Sequence, residues 1–557
     1  MTQPDNTPSN SLSDQRPNQT DESVGKHTRT VAGLTLVSRV MGMVRDLITA
    51  RVFGDTAVGS AFGAAFAIPN MFRRLFGEGA LSAAFLPEYT RMSDSDPAKA
   101  NAFASLTIGL LALITGVLTI VIELGLLAVI VFAPEDPERV YSLKLVMVML
   151  PFMPMICIAA ILGGMLQTLG CFGPWAAAPI LLNLCIIGAA LPFFWVEGAD
   201  PRQWAYSIGI AAVVAALLQV LWSLWALRGK VHWTRGVSQA RSDGKLMLAR
   251  MIPVIIGLGT LQLNSFMDTL IAMYPNWVGP TFLGSPYPLD ESSNAVLYYA
   301  QRLYQFPLGV FGIAVATAAF PALARVAGDK QRFSEMLARG VRLSLYIGLP
   351  ASVGLLIVGP GLIRVMYSGF GAGEGTGLDT AGHGFSEEGI IRASAVLMGY
   401  AIAVWAYSLN QLFTRAFYAQ NDTKTPMRIA LVMVGVNLCL NVVLIWKLRE
   451  AGLAWSTAIC ALGQTIGLMI ASKRRLGVTL AVDGYQPVIK IVIGSLVMGG
   501  LLIGVLMVYP RPMAWGGQLA RVAVLTGVGI AAYAVWSILM KMDELGWLLS
   551  RSTSDQR

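Results

Sequence analysis

From residue 31 to about residue 546 the chain is a run of apolar stretches, each long enough to cross a bilayer at about 20 residues, joined by short polar loops. In lipid each backbone group must find its partner inside the segment, so such stretches fold as helices. The expected fold class is an all-α integral membrane protein with about fourteen transmembrane helices. Composition agrees: of 557 residues 55% are hydrophobic and 13% charged, with a mean hydropathy of +0.61, whereas soluble domains carry about 25% charged residues. No sizeable soluble domain is left over. Residues 1–30, rich in Pro, Ser, Asn and Asp, read as a disordered tail. No apolar signal core precedes them, so the first helix is expected to direct insertion itself.

Hydropathy and breaker residues predict helices near 31–53, 58–90, 104–132, 141–169, 174–196, 204–227, 246–274, 294–324, 339–367, 389–418, 425–446, 451–472, 487–509 and 516–546. The second is too long for one straight span, and Pro69, Gly77 and Gly79 predict a kink in it. Lys and Arg concentrate on the cytoplasmic side of membrane proteins. Here they crowd the segments after the sixth, eighth and twelfth helices. The loops at 275–293 and 365–388 hold none, but carry Asp290, Glu291, Glu374, Asp379, Glu387 and Glu388. Both termini are therefore expected in the cytoplasm, and the net charge of +9 is mostly a topology signal rather than a nucleic-acid patch.

The five cysteines show no CxxC spacing and the three histidines are isolated, which argues against a disulfide framework or a zinc site. The GAGEGTG run at 371–377 lacks the Lys-Ser/Thr of a phosphate loop and reads as a linker. No nucleophile elbow or HExxH helix is present, so nothing argues for an enzyme.

The informative residues are charges inside apolar helices. The first helix, VAGLTLVSRVMGMVRDLITARVF, sets Arg39 and Arg45 near its centre, about 120° apart on a helical wheel, with Gly42 between them. Together they cost roughly 5 to 7 kcal/mol on the insertion scale, which the rest of the fold must offset. They can flank an aqueous face; the alternatives are snorkelling side chains or an internal ion pair with Asp46. The second helix adds the neighbours Arg73 and Arg74, with Glu78 four residues after Arg74. One arginine can enter a cavity while the other pairs with Glu78 or reaches the headgroups, and Arg73 is the expected cavity residue. Arg302 in the eighth helix either joins them or snorkels outward. Guanidiniums facing one cavity match phosphate oxygens bidentately, so an anionic substrate is expected. A second cluster holds Asp268, then Asn437 and Asn441 at i,i+4, and Thr457. Oxygen donors from three helices suit a small hard cation, or act as interhelical hydrogen-bonding glue.

The runs SRVMGMVRDLITARVFG and FAIPNMFRRLFGEGALSAAFLPEY resemble the opening of the MurJ (MviN) lipid II flippases of the MOP exporter superfamily. RLYQFPLGVFGIAVATAAFPALA and RAFYAQNDTKTP are similar to that family in order and spacing. The resemblance covers the first twelve helices; the last two match mainly in hydropathy. It implies two pseudo-symmetric six-helix bundles, 31–228 and 229–476, with two added helices at 477–546 forming a lipid groove and a cytoplasmic tail at 547–557. It implies a substrate, lipid II, moved from the inner to the outer leaflet of the bacterial cytoplasmic membrane. Arg39, Arg45, Arg73 and Arg302 fall on the family's cavity arginines, and Ser38 and Glu78 on gate positions. Asp268, Asn437, Asn441 and Thr457, with the Leu453 carbonyl, look like the sodium site of some members; no other cofactor is implied. Ser60, Gln301 and Gln305 stand where relatives carry acidic residues, which leaves the site more positive and takes those carboxylates out of any gate ion pair. Expected partners are lipid II, membrane lipids and the cell-wall synthesis machinery, not nucleic acid, and the expected state is a monomer.

The implied mechanism is alternating access: the pyrophosphate bridges the arginines, the bundles rock, and membrane potential with sodium biases the reset. The nearest alternative is a flippase for another polyprenyl-pyrophosphate-linked saccharide. A cation-coupled drug antiporter of the same superfamily fits less well, because a cationic drug favours carboxylates. A polyprenyl-phosphate glycosyltransferase would need a carboxylate cluster at a loop, and a structural scaffold would not explain arginines at mid-membrane.

Overall fold

The computed structural model describes residues 18–549 apart from 135, 310–312, 369–383, 479–483, 511 and 513. Inside helices it describes the backbone alone at 18–32, 77–83, 253–258, 260–261, 313–314, 318 and 549. The GAGEGTG run, residues 1–17 and the end of the C-terminal tail lie outside the described residues.

The helices are α1 (Asn18–Phe53), α2 (Ala57–Phe72, continued through a π-helical stretch at Arg73–Ala80 into Leu81–Ser95) and α3 (Pro97–Phe132). Next come α4 (Pro137–Thr168), α5 (Phe172–Trp195), α6 (Pro201–Ala226) and α7 (Arg241–Ala272). They are followed by α8 (Ser293–Pro307, resumed at Ile313–Arg325), α9 (Lys330–Tyr367), α10 (Glu387–Ala419), α11 (Lys424–Leu448) and α12 (Glu450–Leu476). The chain closes with α13 (Gln486–Val508), α14 (Trp515–Leu539) and a short α15 (Asp543–Leu549). A two-residue β-hairpin, Thr281–Phe282 with Ser285–Pro286, sits in the α7–α8 connection.

Local chemistry sets several of these starts. Asp96, Asp136 and Asp200 each accept backbone N–H bonds from the first turn that follows, and a proline stands next to each at the first helical position. The side chain satisfies an orphan donor and the proline removes one, each cap contributing about 1 kcal/mol. The predicted kink in α2 is the π-helical stretch Arg73–Ala80, which contains Gly77 and Gly79. The tail is shorter than expected, since α1 begins at Asn18 rather than near residue 31.

Ten of the described helices are long and apolar enough to cross a membrane: α3 to α6 and α9 to α14. Of the rest, α1 carries Arg39 and Arg45, α2 carries Arg73 and the π-helical stretch, α7 carries the buried Asp268, α8 carries Arg302, and α15 is only seven residues long.

In the first half α5 packs on α1 and α6, α4 on α6, and α2 on α4; in the second, α12 packs on α10 and α11, and α9 on α10. The pair α13 and α14 leans on α9. Between the halves, α2 meets α8 near the acidic loops, and α7 meets the lower part of α2.

The two ends are joined differently. At the acidic-loop end Ser60, fully buried, accepts at Oγ from the Ala295 amide (3.0 Å), and its carbonyl accepts from Asn294 Nδ2 (2.8 Å). Asp55 accepts from the Ser386 amide (2.8 Å) and hydroxyl (2.6 Å), and Arg51, 1% exposed, donates to the Val365 carbonyl (3.0 Å) under the Trp515 ring. At the basic-loop end the links include ion pairs, Lys99 to Asp243 at 3.0 Å and Arg250 to Glu88 at 3.9 Å, beside hydrogen bonds from the His232 and Thr234 amides to Asn101 (3.2 Å) and Ser105 (3.1 Å).

Within the second half, Asp290 of the α7–α8 loop pairs with Arg392 (2.9 Å) and Arg449, while Arg392 also donates to Glu450 (2.6 Å) and Ser292 (2.9 Å). Burial alone would raise the Asp290 carboxyl. Hydrogen bonds from Arg392 and Ser292 and the charges of Arg392 and Arg449 override it, holding the group well below the usual carboxylate range.

Candidate substrate cavity

A cavity of about 790 Å³ lies between α1, α8, α9, α13 and α14. Most of its wall is apolar, including Leu355, Leu362, Met498 and Ile530; its polar corner is Arg39, Asp46, Arg302 and Gln305. A second, smaller space of about 90 Å³ opens between α2, α7 and α8, bordered by Arg74, Gln262, Gln301, Arg302 and Gln305. Arg302 borders both, so one guanidinium links the apolar groove to the seam between the halves.

Gly309, in the π-helical turn that follows Pro307, allows Arg39 to lie against it: a Cβ there would collide with the Arg39 guanidinium. Asp46, 7% exposed, receives Arg45 through Nε (3.0 Å) and Nη2 (2.7 Å) and lies 3.9 Å from Arg302. Arg45 also donates to Asn183 Oδ1 of α5 (3.2 Å) and stacks over Phe66. Arg302 sits 4.4 Å over the Tyr298 ring and donates to Gln305 (3.4 Å). Aromatic faces and one shared carboxylate thus hold the cations in place without saturating their donors.

The ion pair with Asp46, one of the alternatives raised by the sequence, is therefore present, but it engages Arg45 and Arg302 together. Arg73 donates to Asn70 Oδ1 on its own helix (3.3 Å), and it is the neighbouring Arg74 that borders the smaller space. Arg45 and Arg302 pair with Asp46, Arg39 shares the cavity corner with Asp46 and Arg302, and Arg74 meets Arg302 at the smaller space. Gln301 donates to Tyr400 (2.8 Å). Ser38 offers its carbonyl to Asn183 Nδ2 (3.2 Å), which anchors α1 to α5. The Glu78 side chain lies outside those described.

The second cluster closes as a unit. Asn441 Nδ2 donates to Asp268 Oδ1 (2.7 Å) and Asn437 Oδ1 (3.0 Å); Asn437 Nδ2 reaches Ser456 and Thr457, each at 3.3 Å. Ser456, not anticipated, donates to Asn441 and to the Leu453 carbonyl. Asp268, Asn437, Asn441 and Ser456 are all buried. No group of three or more His, Cys, Asp or Glu side chains suited to a metal occurs among the described residues. As it stands the cluster is an interhelical hydrogen-bond network around a single carboxylate, the second of the two arrangements the sequence allows.

Sequence signals existed for what was missed. Asn183 is the lone polar side chain in the run ILLNLCII, and Arg74 sits one position from the residue expected.

The sequence model of the family described as "Lipid II flippase MurJ" matches residues 49–523. A "Probable lipid II flippase MurJ" of Rhizobium tropici is 30% identical over 86% of this chain and 87% of its own length. A protein of the same description from Rhizobium meliloti (strain 1021) is 31% identical over 78% of this chain and 77% of its own. Among solved structures, "Lipid II flippase MurJ, inward closed conformation" superimposes with a TM-score of 0.73 at 22% identity, covering 92% of this chain and 99% of that one. An inward-facing multidrug resistance MATE transporter of the MOP superfamily shares the fold at a TM-score of 0.63 and 12% identity, over 80% of this chain and 98% of its own. The chain belongs to the MurJ family of lipid II flippases.

Proposed function

We propose that this chain moves lipid II from the inner to the outer leaflet of the cytoplasmic membrane by alternating access, as a monomer of fourteen spans with both termini in the cytoplasm. The observation that carries the reading is the shared corner of Arg39, Asp46 and Arg302 at the edge of a 790 Å³ apolar cavity. A polyprenyl pyrophosphate has the same division into a long apolar tail and a compact anionic head.

In this reading the pyrophosphate replaces Asp46 as the partner of Arg45 and Arg302, and Arg39 and Arg74 close on it from either side. Charge-assisted, forked contacts suit phosphate oxygens and require no bond to be made or broken. The tail stays beside α13 and α14 in lipid. The halves then part at the acidic-loop end, where neutral and singly charged hydrogen bonds hold them, and close at the other. Asp268, Asn437, Asn441, Thr457 and the Leu453 carbonyl would hold sodium, whose binding favours one of the two arrangements. Asp268→Asn should then remove sodium dependence from lipid II transport while leaving lipid II binding intact.

The direct test is binding of purified protein to lipid II, to a neutral lipid, and to another polyprenyl-pyrophosphate saccharide, with Arg302→Ala as the paired variant. Lipid II should bind best and lose at least tenfold in the variant, the scale of one charged hydrogen bond of about 1.5 kcal/mol or more. Equal affinity for all three ligands sinks the assignment.

A further inference from the structure

A groove of about 580 Å³ lies apart from the central cavity, between α9, α10, α13 and α14 near the acidic-loop end. Its wall is apolar, with Ile357, Ile391, Met398 and Val522 along it, and two arginines, Arg364 and Arg521, stand in its lining. Their circumstances differ. Arg364 is forked onto Glu387, with Nη2 to Oε2 at 2.6 Å. Arg521, in the second turn of α14, has a buried Nε with no hydrogen-bond partner, and Nη2 reaches only the Leu506 carbonyl at 3.5 Å. A guanidinium carries five donors and stays charged, so the buried Nε is left unsatisfied while the half-buried remainder of the group keeps donors free for a ligand in the groove. A free guanidinium favours an anion, and the lining beside it is mostly apolar, with Ser394 and Gln518 as its neutral polar side chains.

We infer that this groove binds one anionic phospholipid of the outer leaflet, its phosphate on Arg521 and an acyl chain along Ile357, Ile391 and Met398. The leaflet follows from the orientation proposed above; the site itself does not depend on what the central cavity carries. Arg521 is not among the residues that touch the substrate cavity. The lipid seals α14 against α9 and α10, whose nearest wall residues, Val358 and Leu525, also line the central cavity. A filled groove therefore stiffens that shared wall.

The test is native mass spectrometry of the purified full chain released from vesicles of phosphatidylglycerol or of phosphatidylcholine. One phosphatidylglycerol should be retained, about tenfold over phosphatidylcholine, the discrimination expected of one charged hydrogen bond of about 1.5 kcal/mol. Arg521→Gln should lose it, Arg521→Lys should keep most of it, and Ile391→Trp, which fills the groove, should lose both lipids. Lipid II binding measured on the same samples reports whether each variant is folded. Retention by the Gln variant equal to the parent, loss in the Lys variant equal to that in Gln, or no preference between the two phospholipids would each overturn the inference. So would displacement of the phospholipid by an equal concentration of undecaprenyl pyrophosphate, which would make the groove a site for the carrier's own product.

Discussion

Asp46 serves two arginines at once, and that makes it the residue on which the chemistry of the cavity turns. It neutralises part of the charge of Arg45 and Arg302 while they are empty, then competes with whatever anion arrives. Asp46→Asn should therefore tighten pyrophosphate binding by about tenfold, one charged hydrogen bond's worth, while slowing transport because release becomes harder. Calorimetry with inorganic pyrophosphate against a complementation assay would separate the two effects; weaker binding in the variant would remove Asp46 from the role of competitor. At this scale the sequence was legible where insertion energy spoke. Arg39 and Arg45 were conspicuous because charge at mid-membrane is costly. Arg73 is the residue an ideal wheel favours, but the π-helical stretch that begins there alters the angular register, and Arg74 borders the smaller space.

Among the elements, α2 and α8 form the joint that the transport cycle must undo. The Ser60 hydroxyl oxygen accepts from the Ala295 amide in the first turn of α8, so Ser60→Ala leaves a buried N–H unsatisfied at about 1 to 3 kcal/mol. The predicted result is faster hydrogen exchange across residues 294–298 and a population shifted toward opening at the acidic-loop end. Unchanged exchange would show that Asp55 and Arg51 hold that end without it. The loop carrying Asp290 makes a different prediction. Its carboxyl titrates lower in the folded chain than in the unfolded one, so its contribution is present above about pH 4 and is lost as pH falls through the native value. Asp290 is 44% exposed, which limits each of its pairs to roughly 0.2 to 1 kcal/mol. Melting temperature should fall below pH 4, and Asp290→Asn should lower it at neutral pH while flattening that acid limb. Element positions came through well from hydropathy and breakers, as α3, α11 and α13 illustrate, because apolar length and Asp-Pro or Pro-led starts are local signals. Helix starts such as Asn18 and Lys330 escaped because those first turns are polar and project beyond the apolar length.

Across the whole molecule, the pairing of helices and the meeting of α1, α8, α9, α13 and α14 around one cavity could not be read from spacing. They entered only through resemblance, since long-range contacts leave no periodic trace in a chain. The contrast between the two ends has a further consequence. One end is fastened by hydrogen bonds onto backbone groups, which dissolved ions barely weaken. The other is fastened in part by Lys99–Asp243 and Arg250–Glu88, of which Arg250 is more than half exposed. Raising ionic strength from about 0.1 to 1 M shrinks the screening length from roughly 10 to 3 Å. The molecule is thus a conformational salt gauge: concentrated electrolyte should loosen the basic-loop end alone, and spin-label distances across each end, recorded over that range, would reveal whether only one of them widens.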